Sequence, residues 1–172
     1  MKKYLFLLPV LITTQSYAMD AQNDFFRGVL YEEPETVQEL LKNPSVDVNK
    51  PSTAMDSGIK PGTPALHIAA IYDRGNIPMI NLLLAAGANI NGVDSAGQTA
   101  LFNAATPAVA VELLKAGIDT SVKDKAGQTA TESQSNVIRG LNQSQLYKFT
   151  SKTQLVKDAI ERYIHNKKPS LY

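Results

Sequence analysis

The chain has 172 residues, a formal net charge of +1 and an apolar fraction of 44%. That is the size and composition of one globular domain, and the near-neutral balance leaves no electrostatic footprint for nucleic acid or for an anionic membrane. There is no cysteine, and His67 and His165 are the only histidines, which excludes disulfides, thiol catalysis, a lipid-modified cysteine anchor and thiolate metal sites, and leaves too few imidazoles for a histidine-based metal site.

The first element is an address. Lys2 and Lys3 give a short positive start, Tyr4 to Ile12 is an apolar run, and Ser16-Tyr17-Ala18 places small residues at both positions a signal peptidase reads. The apolar run is too short to span a bilayer, which takes about 20 helical residues. Residues 1–18 are therefore expected to be a signal peptide cleaved between Ala18 and Met19. The mature product is expected in the periplasm or outside the cell, with no membrane span.

Next comes a helix pair. Phe25-Phe26-Arg27-Gly28-Val29 reads as its first helix. Pro34 to Leu41 reads as the second, with proline suited to a first helical turn. Val46-Asp47-Val48-Asn49 follows and returns later as Ala88-Asn89-Ile90-Asn91. From Pro51 to Pro61 lies a connection holding Gly58 and two prolines, where regular structure is not expected.

Self-similarity governs the middle of the chain. Gly62-Thr63-Pro64-Ala65-Leu66-His67-Ile68-Ala69-Ala70 superposes on Gly97-Gln98-Thr99-Ala100-Leu101-Phe102-Asn103-Ala104-Ala105, and Ala126-Gly127-Gln128-Thr129-Ala130 repeats Ala96-Gly97-Gln98-Thr99-Ala100. Leu83-Leu84-Ala85-Ala86-Gly87 matches Leu113-Leu114-Lys115-Ala116-Gly117. Leu66 and Leu101 are 35 residues apart, whereas Leu101 and Thr131 are 30 apart. Both Leu84 to Leu101 and Leu114 to Thr131 span 17 residues, so the variation falls between the paired helices: extra residues around Asp73 to Pro78, missing ones after Ala105. A period in this range marks stacked units, each with one apolar face that only a neighbour can bury. Gly87 and Gly117 fall just past helix ends, where a left-handed residue is needed.

These motifs resemble the ankyrin family, whose repeat opens on a Thr-Pro-Leu-His-like turn and carries two helices. The resemblance implies an all-α solenoid of stacked helix pairs with hairpin-like fingers over residues 19–141, in units of about 22–61, 62–96, 97–126 and a partial 127–141. It also implies that His67 is the structural histidine that hydrogen-bonds between neighbouring turns. Against the family's spacing, the first finger between Pro51 and Pro61 is seven residues too long.

Residues 142–172 are expected to close the stack. Ser151 and Gln154 suggest a capping box, Leu155, Val156, Ala159, Ile160, Tyr163 and Ile164 form one apolar stripe, Lys157 with Glu161 and Asp158 with Arg162 are opposite charges four apart, and Pro169 stops the pattern. The expected role is a C-terminal capping helix.

No phosphate-binding glycine loop, His-Glu-x-x-His, Gly-x-Ser-x-Gly or calcium loop occurs, so no enzyme activity, cofactor, metal or small-molecule ligand is expected. The resemblance implies a protein partner, held by the finger tips and the first helices. Carried onto this sequence, that surface comprises Met55, Asp56, Ile59 and Lys60 in the first finger, Ile71 and Tyr72 after the paired alanines, Val93, Asp94 and Ser95 in the second finger, and Lys123, Asp124 and Lys125 in the third. The alternative to a general binding module is an inhibitor or immunity protein that masks an envelope enzyme or toxin, or a secreted effector that binds a host protein.

Overall fold

The computed structural model describes residues 21–53, 59–71, 77–133 and 143–167, with side chains of the last segment described from Gln154 onward. The expected signal peptide, Met55, Asp56, Tyr72 and Pro169 lie outside the described residues.

Helix α1 (Ala21–Leu30) buries Phe25, Phe26, Val29 and Leu30, an apolar stripe at helical spacing. The two phenyl rings meet edge to face with centroids 5.3 Å apart. The helix closes at Glu32, whose φ of 59° is the one left-handed conformation at a non-glycine among the described residues. There the Glu33 N–H donates to the Gly28 carbonyl and the Glu32 N–H to that of Val29, a Schellman closure. Pro34 then opens α2 (Pro34–Leu40), which buries Val37.

The second pair is α3 (Ala65–Ile71) and α4 (Ile77–Ala85). Every residue of α3 from Ala65 to Ala70 is buried: the three alanines let helices approach closely, and Leu66, His67 and Ile68 fill the space between neighbours. Helix α4 sends Met79, Ile80 and Leu83 inward and ends at Gly87, where φ is 88° and the Ala88 N–H reaches back to the Leu83 carbonyl.

The third pair departs from the pattern. Its first member is a single 3-10 turn, Ala100–Asn103, followed directly by α5 (Pro107–Lys115). The cause is the shortened connection after Ala105. Thr106 precedes proline, so it is held extended, and its hydroxyl caps α5 by accepting the Val109 N–H at 3.2 Å. The turn before it has no room to grow. Ala105, left outside any helix, donates its N–H to the Ala70 carbonyl of α3 at 2.9 Å and so ties the two repeats together.

Residues 130–133 begin a further helix. It opens on a capping box: Thr129 donates its N–H to the Glu132 carboxylate at 2.8 Å, and Glu132 returns its N–H to the Thr129 hydroxyl. The box expected at Ser151 and Gln154 is not there. Helix α6 (Gln143–Lys167) runs straight through those positions, and Gln154 instead donates to Asp158 at 2.6 Å. That bond also takes the carboxylate expected to pair with Arg162, whereas Lys157 and Glu161 do pair, at 3.7 Å. Val156 and Ile160 are buried, Tyr163 and Ile164 pack against the core, and Leu155, expected in the same stripe, is 54% exposed.

The first helices α1, α3 and the 3-10 turn stack in one layer, and α2, α4 and α5 stack in the other, with α6 laid on α5. The core runs unbroken between the layers from Phe25 to Ile160, with Leu83 and Leu113 both fully buried inside it. This is an all-α solenoid of stacked helix pairs.

A polar ladder holds the loops after the second helices in register. Asp47 exchanges two hydrogen bonds with the Gln22 amide, the Asn49 side chain accepts the Asn89 N–H at 2.7 Å and donates to the Gly87 carbonyl, and Asn91 accepts the Asp119 N–H at 2.8 Å. Where the next asparagine would stand, Ser121 turns back onto Asp119.

Candidate functional site

The fingers project from the first-helix layer, and the second and third are locked from within. In the second finger the Asp94 carboxylate accepts the N–H groups of Ala96 and Gln98 at 2.8 and 3.0 Å. In the third, Asp124 does the same for Ala126 and Gln128 at 2.9 and 3.0 Å. The fingers also lock to each other: Lys125 donates its N–H to the Ala96 carbonyl at 2.9 Å, and the Gln98 amide reaches the second Asp124 oxygen at 3.2 Å. The Gln128 N–H and the Gln98 amide hold the Asp124 carboxyl below the usual carboxylate range. These two aspartates are therefore turn-forming residues as well as surface ones.

The first finger is closed at its base. Ser52 donates its N–H to Thr63 and accepts that of Gly62, at 3.0 and 2.7 Å. The buried Ser52 hydroxyl donates to the Lys60 carbonyl and accepts the Thr63 N–H, both at 3.1 Å. This clamp delivers Ile59 to the edge of the core and leaves Lys60 exposed.

Between this finger, the second finger and α3 lies a groove of about 470 Å³. Ile59, Lys60, Ile71, Asp94 and Ser95, five of the residues singled out by sequence, line it together. Ile68 forms its apolar floor, and Ile71, at the mouth, is 49% exposed. Val93, Lys123 and Lys125 are exposed on the second and third fingers but do not line the groove. Its polar wall of Thr63, Gln98 and Asn103 is not among the residues expected to meet a partner. Gln98 carries a signal: it recurs as Gln128 in the next finger.

Behind the groove, His67 is buried and its Nε2 lies 2.7 Å from the Gln98 carbonyl. A carbonyl only accepts, so Nε2 carries the hydrogen and donates. Nδ1 and the Thr99 hydroxyl are buried with no hydrogen-bond partner among the described residues. Burial pushes the imidazole pKa below the ordinary 6.5, against the opposing pull of the Gln98 carbonyl and the Asp94 charge. His67 is thus a neutral strut between α3 and the second finger, the role its sequence position implied.

Comparison with curated proteins gives no match. A family model described as ankyrin repeats in three copies matches residues 25–124, the span that holds nearly all of the stacked helix pairs, the first two fingers and the His67 strut. With more than half of its length inside that match, the chain belongs to the ankyrin-repeat family.

Proposed function

We propose that this protein is an exported, non-enzymatic module that grips one protein partner in the groove between its first two fingers. Ankyrin repeats are protein-interaction modules, and this chain carries them. The observation that supports the groove as the gripping surface is Ile71. It is a large apolar side chain left half exposed beside Ile68, Ile59 and the polar wall, the mixture of apolar anchor and hydrogen-bonding rim that protein interfaces use. The internal hydrogen bonds of the second finger favour a preformed surface there, which lowers the cost of ordering it on binding.

Export is supported by the order of features at the start of the chain: Lys2 and Lys3, the apolar run to Ile12, then Ser16-Tyr17-Ala18. Among the described residues no helix is long and apolar enough to cross a membrane. We place the mature protein in the periplasm or outside the cell, beginning at Met19.

Two measurements on protein from its native host test this reading. Intact mass should show an N-terminus at Met19, and a chain retaining Met1 in the cytosol would end the export proposal. The mature protein used as bait in envelope extracts should capture a partner that an Ile71→Glu variant of unchanged melting temperature captures at least about tenfold less well, as for loss of an interface anchor. Equal capture by both would remove the groove from the interface.

A further inference from the structure

Asn91-Gly92 is the one asparagine–glycine pair in the sequence. It lies in the loop after α4, on the polar ladder that ties the second repeat to the third. Asparagine before glycine is the pair most open to spontaneous deamidation, because no β-carbon shields the next main-chain nitrogen. The fold uses both residues. The Asn91 side-chain oxygen accepts the Asp119 N–H at 2.8 Å, the rung that joins this loop to the one after α5. A Cβ on Gly92 would stand 3.1 Å from the Asn89 carbonyl oxygen, so a larger residue crowds the turn.

The same bonds restrain the reaction. Ring closure needs the Gly92 nitrogen, stripped of its proton, to attack Asn91 Cγ. In the folded chain that N–H donates to the Asn89 carbonyl at 3.0 Å. The Asn91 N–H is tied to Asn89 Oδ1 at 3.0 Å, and the Asn91 side-chain carbonyl is tied to Asp119. Asn91 is exposed to water, so hydrogen bonds rather than burial hold it back. Asn49 is the comparison within the chain. Its side chain accepts the Asn89 N–H at 2.7 Å, one rung earlier, but Lys50 follows it and supplies the shield that Gly92 lacks.

We propose that Asn91 is a site of spontaneous deamidation gated by its rung to Asp119. When the second and third repeats part, the Gly92 nitrogen bonds to Asn91 Cγ and the Cγ–Nδ2 bond breaks. The amide nitrogen leaves as ammonia, and the Gly92 proton passes through solvent to it. Water opens the resulting succinimide at either carbonyl, giving aspartate or isoaspartate, and no other reactant is needed.

The change runs one way. In isoaspartate the main chain passes through the former side chain, which adds a methylene between residues 91 and 92 and removes the acceptor that met the Asp119 N–H. It also adds a negative charge opposite the loop that carries the Asp119 carboxylate. The modified junction closes less well, directly before the second finger. None of this rests on what the finger groove binds.

Ageing the purified wild-type protein at mildly alkaline pH in a series of urea concentrations tests this. Peptide mapping reads the amide-to-acid mass gain at Asn91, and fragmentation distinguishes isoaspartate from aspartate. Without urea, conversion at Asn91 should be at least about tenfold slower than in the unfolded chain. It should rise with urea already below the unfolding midpoint, as local openings grow more frequent. Asn49, read from the same digest, should lag far behind Asn91 in the unfolded chain. The fraction carrying isoaspartate, separated by ion exchange, should unfold at lower urea than the unmodified fraction. An Asn91 that stays intact in the unfolded chain, or reacts equally fast folded and unfolded, would overturn the proposal. So would a rate unmoved by urea below the midpoint, an Asn49 that keeps pace with Asn91, or an isoaspartate fraction as stable as its parent.

Discussion

The imidazole of His67 donates to the main-chain oxygen of Gln98 across 2.7 Å, joining the first helix of one repeat to the finger of the next. Burial keeps its pKa below 6.5 in the folded chain, whereas the unfolded chain titrates near that value. Between the two values the unfolded state binds more protons, so stability rises with pH there. The contribution should be complete above about pH 6.5 and lost as pH falls through the lowered folded value. Urea midpoints measured from pH 5 to pH 8 should show this slope, and His67→Gln should flatten it. Removing the donor altogether, as in His67→Leu, should also cost about 1 kcal/mol at pH 8, because the Gln98 carbonyl then keeps only the Asp94 N–H. Asp119, Asp124 and Glu132, all held below the usual carboxylate range by hydrogen bonds they accept, act in the same direction only at more acid pH.

Leu83 and Leu113 occupy equivalent places on α4 and α5 and are both fully buried. Truncating either to alanine should cost about 2–5 kcal/mol. In a stack held by nearest-neighbour contacts the loss should be read by both adjacent repeats. Chemical denaturation followed by far-ultraviolet circular dichroism checks it, and midpoints that barely move in both variants would mean that these leucines do not form the shared core.

Glu32 closes α1 at a φ of 59°, a conformation that disfavours a side chain. Glu32→Gly should therefore raise stability by up to about 1 kcal/mol, the relief of left-handed strain less the extra freedom of the unfolded chain. Gly87→Ala, at a φ of 88°, should lower it by about 1 kcal/mol. Thermal melts of the two variants should shift in opposite directions.

These residues also show what the sequence makes legible. The repeated Leu-Leu-x-Ala-Gly ends mark Leu83, Leu113 and the two left-handed glycines, because core spacing and helix termination are local properties. Glu32 is not visible: nothing in Tyr31-Glu32-Glu33 demands a positive φ, which appears only in the folded closure of α1 onto the Gly28 and Val29 carbonyls. The sequence suggests a capping box at Ser151 and Gln154, and the structure has one at Thr129 and Glu132. Both pairs carry the motif, and only the chain's real helix start decides between them. Leu155 shares the periodicity of Val156 and Ile160 but lies at the edge of that arc, and periodicity alone does not say where an apolar face ends.

In the groove, the sequence points to Ile59, Lys60, Ile71, Asp94 and Ser95 but not to the wall that joins them. Its motifs mark Asp94 and Asp124 only as partner-facing, although both carboxylates fold their own fingers. The clue is present in Asp94-Ser95-Ala96-Gly97-Gln98-Thr99 and Asp124-Lys125-Ala126-Gly127-Gln128-Thr129. An aspartate kept at the same place in two turns of one chain, while its neighbour changes from serine to lysine, holds the same turn in both.

The central claim is that a protein partner sits against Ile71. A photo-activated cross-linking residue placed at Ile71 in the native host, with a second one at exposed Ala108 on α5 as control, tests it whatever the identity of that partner. Illumination should give one discrete higher-mass adduct from position 71 and none from position 108. Adducts absent from position 71, or identical from both positions, would contradict the account.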